Sequence, residues 1–176
     1  MREPHVPSPR IHPLAVVAPG SHIFGQVSIG ADTIVLFGAV VRAELDRIVI
    51  GTESNIQDNA VLHCDEDVPT VIGDRVTVGH SAVVHGAIVG DAALIGIGSV
   101  ALNRSRIGEG AWLAAGSVLV EDDVIPPWTL AMGTPAKPIR ELNLDEIKRA
   151  SEGVDHYLQL AGVYREIFSN LRRSGL

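Results

Sequence analysis

The stretch VTVGHSAVVHG (76–86) sets His80 and His85 five residues apart in a β-branched run, and VLH (61–63) supplies His63 upstream. Imidazole is the commonest metal-ligating side chain and the one that most readily exchanges a proton near neutral pH. A spacing of five suits neither regular element. Strand side chains alternate with period two, so five sends the rings to opposite faces, whereas paired ligands on a helix sit four apart. The two histidines therefore belong to different positions of a fold that turns every few residues.

That fold is written in the aliphatic residues. They recur at every sixth position through Ile23, Ile29, Val35 and Val41, then through Ile50, Ile56 and Leu62, and again through Ile72, Val78 and Val84. After one five-residue step the series runs on through Val89, Ile95, Ala101, Ile107, Leu113, Leu119 and Ile125. This is the hexapeptide signature of a parallel β-helix. Each hexad gives one short strand and one turn, and three hexads close a triangular coil of about 18 residues. Two interruptions throw about three extra residues outward near Glu44–Asp46 and about four around Cys64–Pro69; loops on a rigid solenoid are usual places for binding groups.

Residues 1–142 read as the β-helix with an N-terminal lead-in and a proline-rich exit (VIPPWTLAMGTPAKPIREL, 124–142), and residues 143–176 as a C-terminal α-helix, in a single domain overall. Asn143 caps that helix, with Glu146 placed to reach back in a capping box. Apolar or small residues at 147, 150, 154, 157, 161, 164, 168 and 171 form one stripe, which packs along the β-helix or against a neighbouring subunit.

The hexad register places the histidines. Ile23, Val41, Leu62 and Val84 share one face, A, and the outward residues that follow them include Arg42, His63 and His85, stacked at the strand spacing of about 4.8 Å. Val35, Ile56, Val78 and Ile95 share another face, C, where the second residue on is Asp58 and then His80. His63 and His85 can meet on one chain; His80 faces elsewhere. If three β-helices pack around a threefold axis, face A of one meets face C of the next, and the neighbour's His80 completes a three-histidine set. Three neutral imidazoles with an open fourth position describe a catalytic zinc site. His5, His12, His22 and His156 lack such partners and read as ordinary surface residues. Cys64 reads as a buried small hydrophobe.

Composition excludes other classes. A net charge of −7 argues against a nucleic-acid surface. No apolar run approaches the roughly 20 residues of a membrane span. The start MREPHVPSPR lacks the apolar core of a signal peptide, and a single cysteine permits no internal disulfide framework, so a cytoplasmic protein is expected.

From about Ile23 to Arg140 the chain resembles the γ-class carbonic anhydrases and their bacterial relatives. The segments that carry the likeness are FGAVVRAELDRIVIG (37–51), NIQD (55–58), VLH (61–63), TVIGDRVTVGHSAVVHG (70–86) and LIGIGSV (94–100). The resemblance implies a left-handed β-helix, against the usual right-handed crossover, and a homotrimer. It implies zinc, replaceable by iron or cobalt, held between chains by His63 and His85 of one and His80 of the next. The implied reaction is reversible hydration of CO2 to bicarbonate by hydroxide on the metal, whose charge acidifies bound water. Gln57 matches the glutamine that orients the nucleophile, Asn55 and Asp58 match its neighbours, and Arg42 matches an arginine that pairs with a carboxylate across the subunit boundary. Two features depart from the pattern. Glu44 stands where Arg-x-Asp is usual, and the acidic loop CDEDVP (64–69) is short, leaving Asp65 or Glu66 to shuttle protons or to form a solvated turn.

Two other functions fit a hexapeptide protein. One is a non-catalytic protein binding a metal or a small ligand such as an anion or a metal chelate. The other is an acyl-CoA-dependent acyltransferase, which uses one histidine as general base. Three converging histidines separate the first reading from the last.

Overall fold

The computed structural model describes residues 7–173, with side chains as far as Asn170. His5, and Leu171 at the end of the apolar stripe, lie outside what is described. Short parallel strands stack into a triangular prism, as the hexads require. Face A carries the first part of the strands His22–Ile29 and Val40–Ile50, then Val61–His63, Val83–His85, Val100–Ala101 and Val118–Leu119. Both long strands turn a corner, and their second parts continue on face B with Arg10–Ile11, Thr70–Ile72, Ile88–Val89, Arg106–Ile107 and Val124–Ile125. Face C is a separate eight-stranded sheet, running from Val16–Val17 through Ile34–Val35, Asn55–Ile56, Thr77–Val78, Leu94–Ile95 and Trp112–Leu113 to Thr129–Gly133 and Ala136–Glu141.

The inward residue of each hexad fills the prism. On face A the register aligns Val41, Leu62, Val84, Ala101 and Leu119 in one column, all essentially buried. Cys64 is fully buried in the same core, as its reading as a small hydrophobe requires. Each Val, Leu or Ile withdrawn from water in this way contributes about 1.5–3 kcal/mol before the entropy of ordering. The first interruption is a bulge: Gly25 pairs with Ala43 but Val27 pairs with Ile48. The second is a tight loop closed by a bridge between Asp65 and Val68.

Both ends extend beyond the hexads read from Ile23 to Ile125. At the start, Arg10–Ile11 and Val16–Val17 already pair with the next coil, so the lead-in is itself solenoid. At the end, the proline-rich exit contains two strands: Thr129–Gly133 extends face C, and Ala136–Glu141 returns antiparallel on it. An antiparallel return covers the outer edge of Thr129–Gly133, which would otherwise stand unpaired.

The chain finishes in the helix Leu144–Arg173. Its capping box is formed: Glu146 N donates to Asn143 Oδ1 and Asn143 N donates to Glu146 Oε2, both at 2.9 Å. The stripe packs on the chain's own prism, where Tyr157, Leu160, Ala161, Tyr164 and Phe168 cover Val16, Ala18, Ile34 and Leu36 on the outside of face C. Arg75 to Asp155 (2.7 Å) and Arg165 to Asp32 (2.8 Å) pin it laterally. Among the described residues no helix is long and apolar enough to cross a membrane.

Candidate metal centre

Strand pairing aligns Arg42, His63 and His85 on three successive coils of face A, each directly after a buried residue and so facing out. His63 Nδ1 lies 2.9 Å from His85 Nε2, with ring centroids 4.9 Å apart. The outer nitrogens decide what these inner ones offer. His85 Nδ1 is 2.8 Å from Asn103 Oδ1, an oxygen that can only accept, so Nδ1 carries a proton and, in the neutral ring, Nε2 is bare. Asn103 Nδ2 donates to Asp65 Oδ2 at 2.8 Å, which fixes the amide in that orientation. On the other ring, His63 Nε2 faces Glu44 Oε1 at 3.4 Å, an arrangement in which Nε2 carries the proton and Nδ1 is bare. With the protons so placed, two lone pairs converge across 2.9 Å, an arrangement that either a shared cation or an N–H on one of the two rings stabilises.

The electrostatics suit that reading. Burial, helped by the charges of Arg42 and His85 and opposed by Asp65, holds His63 below the usual imidazole range. A ring that stays neutral keeps its lone pair for a metal. Asp65 Oδ1 stands 3.9 Å from His85 Nε2, and one donor atom each from His63, Asp65 and His85 lies within 4.8 Å of the others. Glu44 is in direct contact with Arg42, and its Oε2 is buried without a hydrogen-bond partner.

His80 falls outside this cluster. It occupies the turn after the face C strand Thr77–Val78, at the corner leading to face A. There His80 Nδ1 lies 2.9 Å from Asp58 Oδ2, a carboxylate–imidazole pair that leaves Nε2 free, on a side chain 41% exposed. The other expected residues gather beside it. His80 N donates to Gln57 Oε1 at 3.2 Å, Gln57 Nε2 donates to Asn55 Oδ1 at 3.0 Å, and Asn55 Nδ2 donates to Thr77 Oγ1 at 2.9 Å. Asn55 and Gln57 are both buried. Next to Gln57, an open apolar trough of about 390 Å3 runs along face C past Leu94, Ile97, Trp112, Ala115 and Leu130.

The residues singled out in the sequence thus form two groups. Arg42, Glu44, His63 and His85 meet on face A; Asn55, Gln57, Asp58 and His80 meet at the corner between faces C and A. Sequence reasoning missed Asn103. The hexad register does not point to it: pairing of Val84 with Ala101 sets Leu102 opposite His85, and Asn103 lies one residue beyond.

No family model matches the chain. Curated relatives do. The chain is 42% identical to the carbonic anhydrase of Geobacillus kaustophilus over 91% of its own length and 88% of the relative's. It is 37% identical to the mitochondrial γ carbonic anhydrase 2 of Arabidopsis thaliana over 89% of its length, and spans 59% of that plant protein. Among solved structures, a putative acetyltransferase from Bacillus cereus superposes with a TM-score of 0.89 at 36% identity, covering 90% of this chain and 92% of that one.

Proposed function

The chain belongs to the γ-class carbonic anhydrase family, and we propose that it catalyses reversible hydration of CO2 to bicarbonate at a metal shared between neighbouring chains of a homotrimer. The observation that carries this is the split of donors: a converging His63–His85 pair on face A, and His80 with a free Nε2 at another corner. One chain offers two imidazoles to its own site and one to a neighbour's, so a threefold arrangement gives three histidines per site. Imidazole donors suit zinc, and equally iron or cobalt. The single buried thiol, Cys64, suits a reducing, cytoplasmic setting.

A cation held by His63, His85 and a neighbour's His80 would acidify water and so supply a nucleophile at neutral pH. The side chains do the rest. Gln57 is held through both ends of its amide, by His80 N and by Asn55, so its remaining hydrogen-bonding capacity points in a fixed direction without adding charge. That is what orienting a water for attack on CO2 requires. The apolar trough beside Gln57 suits a substrate without dipole or charge. Asp65, pinned by Asn103 and close to His85, is placed to take up the released proton, and the exposed Glu66 to pass it to solvent. Arg42, half exposed, draws the bicarbonate anion, while its contact with Glu44 braces the carboxylate that faces His63.

Stopped-flow CO2 hydration on zinc-loaded protein tests this. The expected result is a rate well above buffer that falls to background in His63→Ala, His85→Ala and His80→Ala, together with bound zinc. Metal retained without turnover supports a non-catalytic binding protein instead. The second reading, acyl transfer, is favoured by the likeness to the Bacillus cereus structure; it predicts that metal-free protein moves the acetyl group of acetyl-CoA to an added amine or alcohol, with release of the free thiol.

A further inference from the structure

We propose that Asn103 is a positioning residue of the metal centre, which sets the tautomer of His85 and anchors the Asp65 carboxylate beside the histidine pair. The inference rests on the metal-binding part of the function proposed above. His85 and Asn103 lie on successive coils, and the amide of Asn103 lies between two groups of the centre. Its Oδ1 accepts a hydrogen bond from His85 Nδ1–H at 2.8 Å, and its Nδ2 donates to Asp65 Oδ2 at 2.8 Å. Each bond fixes the other, because an amide turned end for end would set its NH2 against a ring nitrogen and its oxygen against a carboxylate.

The consequence reaches the metal through His85. A neutral imidazole has one proton for two nitrogens, and only the Nδ1–H form leaves Nε2 bare toward His63. Without an acceptor at Nδ1 the proton distributes over both nitrogens, and part of the population presents N–H where the cation must bind. A ligating histidine held in this way by an outer partner loses about 10–100-fold in metal affinity when the partner is removed. The same amide keeps Asp65 at the site: its Oδ2 is tied to Asn103, and its Oδ1 stays 3.9 Å from His85 Nε2. Three successive coils, carrying His63, His85 and Asn103, therefore build the face A half of the centre.

The chain makes room for this amide. Gly86 follows His85 with φ +61°, and a Cβ at that position would collide with Asn103 Oδ1. Gly86 N is in turn held by Thr70 Oγ1 at 2.8 Å, and the Thr70 hydroxyl donates to the carbonyl of His63. The backbones of both ligands and the loop that carries Asp65 are thus joined around the amide.

The test compares full-length wild type with Asn103→Leu, which removes both bonds, and Asn103→Asp, which keeps the acceptor for His85 and loses the donor to Asp65. Imidazole nitrogen NMR on metal-free protein, at a pH where the rings are neutral, reads the tautomer directly. The expected result is the Nδ1–H form of His85 in wild type and in Asn103→Asp, and a mixture in Asn103→Leu. Chelator competition with Co2+ should show affinity weakened about 10–100-fold in Asn103→Leu, with an altered visible absorption spectrum, and only partly restored in Asn103→Asp, which keeps the acceptor for His85 but sets a carboxylate against Asp65. A merely structural role would change stability and leave tautomer and spectrum alone. Asn103→Ala replaces the leucine variant if that fails to fold. Wild-type tautomer, affinity and spectrum in the variant lacking the amide would overturn the proposal. Wild type that binds no Co2+ sinks the metal reading, while the NMR result still decides what Asn103 does to His85.

Discussion

Gly86 has no side chain, and the centre depends on that. It adopts φ +61°, where an added Cβ meets both Asn103 and Val68. Gly98 has a nearly equal φ of +64° but open space around it. The pair separates backbone strain from crowding. Gly98→Ala should cost about 1–2 kcal/mol, the penalty of left-handed backbone for an L-residue, and leave metal binding unchanged. Gly86→Ala adds overpacking of about 1–3 kcal/mol and pushes Asn103 off His85, so zinc affinity should fall with stability. Urea unfolding and chelator competition on both variants check this; equal zinc affinity in the two would show that the amide tolerates displacement. These residues also mark how far the site could be read in advance. The positions of His63 and His85 follow from the hexad period, because it fixes which residues come directly after an inward one, and His80 follows as the second residue after the inward Val78. Asn103 does not follow. Asparagine is common in any turn, and its reach to His85 and Asp65 exists only once neighbouring coils are stacked.

The C-terminal helix is tied down at its first turn. Glu146 receives two guanidinium bonds from Arg140, at 2.7 and 2.8 Å, and the backbone N–H of Asn143. Chiefly through Arg140, these bonds lower its carboxyl from the ordinary 4.5 to about 2. A depressed carboxyl stabilises the fold where the unfolded chain is already ionised, so the contribution is complete above 4.5 and vanishes as the pH falls to about 2. Glu146→Gln should therefore melt below wild type at neutral pH, with the gap closing across that window; a pH-independent gap would mean that the charge is not what stabilises the turn. Calorimetry at a series of pH values reads it. At this scale the sequence is explicit where one period persists. The hexads and the Asn143–Glu146 box are local patterns, each readable in a few residues. The two ends were harder. Ile11 opens the first coil but is 42% exposed, so nothing buried marks its hexad. The closing strands carry Pro135 between them and Pro138 within the second, and proline signals loop more strongly than strand. Only the need to cover an edge makes a strand there.

Across the whole molecule the decisive feature is that each chain carries two separate groups of candidate site residues. Face A offers His63, His85, Arg42 and Glu44; the corner after face C offers His80, Asp58, Gln57 and Asn55. Within one chain the third donor near the histidine pair is Asp65, so two arrangements compete: a site closed by Asp65 in a single chain, or one closed by a neighbour's His80. Mixing variants separates them. In a cyclic trimer every site takes face A from one chain and the corner from the next. His63→Ala alone and His80→Ala alone then have no complete site. Co-expressed in equal amounts, a His80→Ala chain supplies face A and a His63→Ala chain supplies the corner, so random assembly completes about one site in four. Zinc content and CO2 hydration should both return to about a quarter of wild type in the mixture. If Asp65 closed the site, His80→Ala alone would keep its zinc, and mixing would add nothing. Restoration in the mixture, from two chains that are each inactive, requires a cation held between neighbours.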